Sequence, residues 1–196
     1  MRLSTIPLAL TLFSLAVSPF ALRAADQKPA PAPTAPAPDP TTLIADFRAN
    51  VPGIFNYGSW QNKLGVSSNG IVIEGPNGAQ GDGGMGKNIE PAIDLSGISF
   101  VEVALGVGAH NEVQEITVAL NDADGTQVAA RLQLAQLVPG LPVWLRVRRE
   151  DFVRVPGQDG RDGKMDWTKV AQWQLQGDWV TKKPLHVVFI AMRVRK

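Results

Sequence analysis

The chain has no cysteine. An exported domain with this composition must fold without disulfides, and thiolate metal sites and lipid attachment at an N-terminal cysteine are excluded. It has only two histidines, His110 and His186. Two imidazoles without a thiolate give no recognisable metal-ligand spacing. A charge excess is also missing: 19 Lys and Arg stand against 18 Asp and Glu. Nucleic-acid binding would need a clustered basic surplus, and the tail Arg193-Val-Arg195-Lys196 is short enough to read as a solvated end. The longest apolar run, Ile6 to Val17, is about 12 residues, whereas a bilayer span needs about 20. From Thr41 onward no long stretch has helical periodicity.

What is present begins with an export pattern. Arg2 supplies a positive start, Ile6 to Val17 an apolar stretch, and Ala21 to Ala25 a small-residue site after Pro19. This order predicts a secretory signal over residues 1–25, cleaved after Ala24 or Ala25. Lys28 to Pro40 alternates Pro and Ala. Such a stretch favours polyproline II and predicts a semi-rigid linker over residues 26–41. Without Arg2 and Arg23, 17 basic residues remain against 18 acidic ones, so the mature chain carries about one negative charge. It is expected to be periplasmic or extracellular, with no transmembrane helix.

Residues 42–196 read as one β-domain. Short runs of period-2 alternation are separated by Gly, Pro, Asn and Asp. The runs are Leu43–Phe47, Tyr57–Trp60, Ile71–Glu74, Met85–Ile89, Phe100–Leu105, Glu115–Leu120, Gln127–Leu134, Val143–Arg149, Ala171–Gln176 and Leu185–Val194. Many short strands predict an all-β fold, a two-sheet β-sandwich of the jelly-roll type. Successive side chains point to opposite faces. Hence Ile116, Val118 and Leu120 share a core face, and Gln172, Gln174 and Gln176 oppose Trp173 and Leu175. Arg131 and Gln133 oppose Val128, Ala130 and Leu132, and Trp144, Arg146 and Arg148 oppose Val143, Leu145 and Val147. Leu185–Ile190 is apolar at nearly every residue and predicts a central strand buried on both sides, with His186 a core residue. Asn121-Asp-Ala-Asp-Gly125 predicts a hairpin turn with Gly125 at positive φ.

No motif supplies a catalytic constellation. Gly81-Asp-Gly-Gly-Met-Gly86-Lys87 fits part of a phosphate-binding loop, but Asn88 follows where a Ser or Thr must hold magnesium, and Pro91 blocks the helix. Asp159 to Asp166 and Asp122 with Asp124 suit calcium by chemistry, yet neither has EF-hand spacing. No cofactor is therefore assigned, with a structural calcium left open. Glycoside hydrolysis needs two opposed carboxylates, and sequence alone does not pair Glu74, Glu102, Glu112 or Glu115. What remains is binding chemistry. Tyr57, Trp60, Trp144, Trp167, Trp173 and Trp179 offer flat apolar rings, and polar neighbours hydrogen-bond hydroxyls. The candidate ligand-binding residues are Trp144, Arg146, Arg148, Arg131, Gln174, Gln176 and the loop residue His110. Trp144 leads because it shares a polar face with two arginines.

Ile93-Asp-Leu-Ser-Gly-Ile-Ser-Phe-Val-Glu-Val103 resembles the aliphatic-Asp-Leu-Ser stretch of galactose-binding-like jelly rolls. Val143–Val147, Glu150–Phe152, Trp167–Gln176 and Leu185–Val194 continue in the same order. The pattern is similar to carbohydrate-binding modules of this sandwich type and to the intermediate-associated domain, over most of residues 42–195. The resemblance implies a polysaccharide partner, and a structural calcium held between the opening and closing strands. Asp46 is in place for that, but Phe189-Ile-Ala-Met-Arg193 lacks the closing Asp. The expected role is an exported, non-catalytic carbohydrate-binding module. The alternatives are an envelope assembly protein using the same face for another protein, and a lyase or hydrolase on the same scaffold.

Overall fold

In the computed structural model the described residues are 41–49, 51–74, 81–180 and 182–196. All described residues belong to one compact unit within Pro38–Lys196. The signal segment and nearly all of the Pro/Ala linker lie outside them. Among the described residues no helix is long and apolar enough to cross a membrane.

Two antiparallel six-stranded sheets face each other. The first contains β1 (Thr41–Asp46), β3 (Leu64–Ser67), β4 (Gly70–Glu74), β6 (Phe100–Val107), β9 (Val143–Arg148) and β12 (His186–Arg195). The second contains β2 (Ile54–Gly58), β5 (Gly83–Ile93), β7 (Glu115–Asp122), β8 (Thr126–Gln133), β10 (Val153–Asp159) and β11 (Val170–Gln176). Their orders are β3-β4-β12-β6-β9, with β1 beside the last half of β12, and β10-β8-β7-β11-β5-β2. The one 3-10 turn among the described residues is Arg149–Asp151.

Period-2 alternation explains the core. Val101, Val103 and Leu105 from one sheet and Ile116, Val118, Leu120, Val128, Ala130 and Leu132 from the other are all buried. Each large aliphatic side chain so buried contributes about 1.5–3 kcal/mol. An aromatic cluster ties the layers together. Phe47, just after β1, meets Trp173 of β11 edge-on at 5.5 Å and Phe189 of β12 at 6.4 Å, and Trp60 lies 6.0 Å from Phe189.

The β7–β8 hairpin forms at Asn121–Gly125 as the turn residues require. Gly125 has φ +98°, and buried Asp122 accepts the backbone N–H of Asp124, Thr126 and Asp166. Strands β3 and β10 were not expected from sequence. Both lie at sheet edges, where β3 leaves Val66 exposed and β10 carries Pro156 and Gly157. Edge strands need no second buried face, so alternation is weak there. The run expected at Tyr57–Trp60 is a strand at Ile54–Gly58, and Trp60 turns inward to full burial.

One expectation is corrected. β12 is central, but His186 is not in the core. It starts the strand on the outer face, half-buried, with Nδ1 3.6 Å from Glu74 Oε1. The opposite alternation phase, through Val187 and Phe189, fills the core instead.

Candidate functional site

The outer face of the second sheet is built from three neighbouring rows. The first runs Arg131–Thr117–Gln176–Gly84–Tyr57, the second Ala129–Ala119–Gln174–Gly86–Phe55, and the third Gln127–Asn121–Gln172–Asn88. Period 2 puts the three β11 glutamines on this face, because Trp173 and Leu175 must point inward.

The amides form one connected network. Gln176 Nε2 donates to Gln174 Oε1 at 2.9 Å, Gln174 Nε2 to Gln172 Oε1 at 2.5 Å, and Gln172 Nε2 to Asn88 Oδ1 at 2.7 Å. Gln127 Nε2 donates to Asn121 Oδ1 at 3.0 Å. Tyr57 donates its hydroxyl to Gln174 Oε1 at 2.6 Å. Gln174 is thus the hub and is held in one orientation. Each amide has two donors and an acceptor. The bonds within the ladder leave donor or acceptor capacity at Gln172, Gln176 and Asn88, directed away from the core.

The aromatic border depends on two glycines. A Cβ on Gly84 would stand 2.4 Å from Tyr57 Cζ, and one on Gly86 would stand 2.7 Å from Phe55 Cζ. The absence of Cβ lets both rings lie down on β5. Phe55 and Tyr57 are stacked at 6.2 Å, and Tyr57 is nearly parallel to Trp179, 9° between planes at 6.0 Å. Trp179 is half exposed. The result is a strip of aligned rings beside an uncharged amide floor. Such a surface can stack an apolar ring face and hydrogen-bond hydroxyls.

Burial pushes the Tyr57 phenol up to about 12. Tyr57 is the only tyrosine in the chain, so an alkaline absorbance titration reads this site directly. The titration of the native protein is expected to have its midpoint near that value. Gly84→Ala should lift the ring off β5 and move the midpoint back toward the ordinary value of about 10. An unchanged midpoint in the variant would refute the ring placement.

The residues singled out in the sequence divide between the two sheets. Arg131, Gln174 and Gln176 are on the amide face, where Arg131 pairs with Glu115 at 2.9 Å. Trp144, Arg146 and Arg148 share one face as expected, but it is the outer face of the first sheet. The layers between them are the core, so the two groups cannot close on one ligand. His110 joins neither. It is exposed beside a cavity of about 520 Å3 that is also lined by Glu74, Glu112 and His186. In the sequence Tyr57 and Trp179 stand out only as aromatics, Asn88 and Asn121 only as loop and turn residues, and Phe55 not at all. Their partnership depends on cross-strand register, which period-2 reading does not supply.

The aspartate loops are adjacent, but their carboxylates are taken up by backbone N–H groups and by Arg154 and Lys169. Asp124 Oδ2 accepts the N–H of Arg161, while Asp122 is engaged as above. Among the described residues no three His, Asp or Glu side chains gather to hold a metal ion. Asp46, kept from the calcium pattern, is clasped by Arg48 through Nε and Nη2, each at 2.9 Å.

No protein-family model matches the sequence, and no curated protein matches it. Solved structures do share the fold. The family 11 carbohydrate-binding module of the cellulase Lic26A-Cel5E of Clostridium thermocellum has a TM-score of 0.54 at 15% identity, over 81% of this chain and 95% of that one. The module from the same organism in complex with a β-1,3-1,4-mixed-linked tetrasaccharide gives 0.55 at 16% identity, over 81% and 96%. The xylan-binding module CBM15 gives 0.52 at 12% identity, over 81% and 97%. Two facing antiparallel sheets and these likenesses together show that the chain has a jelly-roll β-sandwich fold, the fold of these three carbohydrate-binding modules.

Proposed function

We propose that the chain is an exported, non-catalytic module that binds a neutral polysaccharide on the outer face of the second sheet. The observation that carries this is the amide ladder Gln172–Gln174–Gln176 running beside the aligned rings of Phe55, Tyr57 and Trp179. Rings stack the apolar face of a sugar, and oriented amides meet its hydroxyls. An open sheet face suits a polymer, which can run on beyond the contact. Amides do not ionise at working pH, and Glu115 at the border is tied to Arg131 and Gln133, which supports binding without acid–base chemistry. The fold shared with carbohydrate-binding modules is consistent with this use, and the segment over residues 1–25 supports export.

The test is affinity electrophoresis and calorimetry on mixed-linkage β-glucan and on xylan. Tyr57→Ala and Gln174→Ala should each weaken binding about ten-fold, the loss of one stacked ring or of one oriented hydrogen-bond hub. Thermal melts should show that both variants stay folded. Failure of the native protein to bind any neutral polysaccharide would sink the proposal.

A further inference from the structure

The outer face of the first sheet has different chemistry. Its rungs run Trp144–Ala104–Ala191, Arg146–Glu102–Arg193 and Arg148–Phe100–Arg195. Glu102 is buried at 1% exposure, yet it faces three guanidiniums. Arg146 Nε donates to Oε1 at 2.8 Å, Arg193 Nε to Oε2 at 2.6 Å, and Arg195 Nη1 stands 3.6 Å from Oε1. Arg146 and Arg193, both hydrogen-bonded to this one carboxylate, leave an excess of one positive charge on the central rung. Arg148, by contrast, is neutralised by Glu150 and Asp151.

Trp144 is 42% exposed beside this excess. The Arg193 guanidinium sits 3.8 Å from its ring centroid, and Arg146 lies 4.7 Å from the Phe100 ring. Glu102 takes the Nε–H of Arg193 and the Nε and Nη2 groups of Arg146. The Nη groups of Arg193 and Nη1 of Arg146 are left for another acceptor. Guanidinium is planar and matches a carboxylate in a bidentate fork. An exposed indole with a fixed guanidinium over one ring face therefore fits a ligand with an apolar ring face and a carboxylate on the same unit.

We infer that this second face binds an acidic polysaccharide through its uronate units, with the sugar ring against Trp144 and its carboxylate on Arg193 and Arg146. The site is separate from the amide face and does not depend on that face binding glycan. Glu102 is the positioning residue: it draws the guanidiniums together and fixes them to the sheet.

The experiment measures binding of the whole chain to polygalacturonate, a sulfated dextran, anionic phospholipid vesicles and mixed-linkage β-glucan. Polygalacturonate should bind and weaken with added salt. Trp144→Ala should reduce that affinity at least ten-fold, Arg146→Gln several-fold, and Trp144→Phe little, because a ring remains. Tyr57→Ala should leave it unchanged. The inference is overturned if polygalacturonate does not bind, or if Trp144→Ala binds it as well as the native chain does. It is also overturned if sulfated dextran or vesicles are preferred. Binding of polygalacturonate with no neutral glucan bound would uphold this face and fail the amide-face proposal alone.

Discussion

Replacing Trp173 by alanine is expected to lower the unfolding free energy by about 3–5 kcal/mol, the cost of deleting a large aromatic from a packed core. Trp173 is 1% exposed and is the second sheet's contribution to the aromatic cluster between the layers. Its edge contact with Phe47 at 5.5 Å joins β11 to the end of β1. No neighbour on β11 can fill the space, because Gln172 and Gln174 face outward. In a domain of roughly 150 residues each kcal/mol moves the melting temperature about 2–4 °C, so a thermal melt followed by circular dichroism should drop by about 6–20 °C. Trp173→Phe should lose much less. A loss under about 1 kcal/mol for the alanine variant would show that the cluster does not hold the layers together.

The second large effect is expected at Glu102. Burial opposes its ionisation, but hydrogen bonds and charge from Arg193 and Arg146 outweigh this, so its pKa lies below the ordinary carboxylate value. A carboxylate lowered in the folded state contributes stability that is fully present above its unfolded pKa. That contribution is lost as pH falls through the lower folded value. Glu102→Gln should cost about 2–3 kcal/mol at neutral pH, the scale of hydrogen bonds to a charged group. The cost is less than for a sealed ion pair, because the three arginines are 24–48% exposed and can turn to water. The gap between native protein and variant should narrow as pH falls below about 4.5, the ordinary value. Denaturant melts across that range measure it. A gap that stays constant would mean that the ion cluster contributes shape and not charge.

The first effect concerns a residue whose face was legible in the sequence; the second does not. Alternation placed Trp173 inward and Gln174 outward, and it put Trp144, Arg146 and Arg148 on one side of their strand. It worked because each of those strands has one apolar and one polar face. It did less well for Leu64–Ser67 and Val153–Asp159, edge strands that no second face constrains, and for His186, whose apolar neighbours masked its outward phase. Glu102 was visible only as an acid beside a strand. Its three arginines come from Arg146, 44 positions away, and from Arg193 and Arg195, more than 90 away.

The sequence by itself determined the all-β class, the faces of the strands with one apolar and one polar side, the turn at Gly125, and the absence of any thiolate site. Those follow from local rules: period 2, turn chemistry and residue inventory. Only the tertiary structure decided which strands share a sheet. That step put Val143–Arg148 in one layer and Val170–Gln176 in the other. It separated Trp144 from Gln174 by the thickness of the core, and it laid Tyr57 over Gly84. Strand order and register are set by long-range packing of the whole core, which no single stretch of the chain encodes.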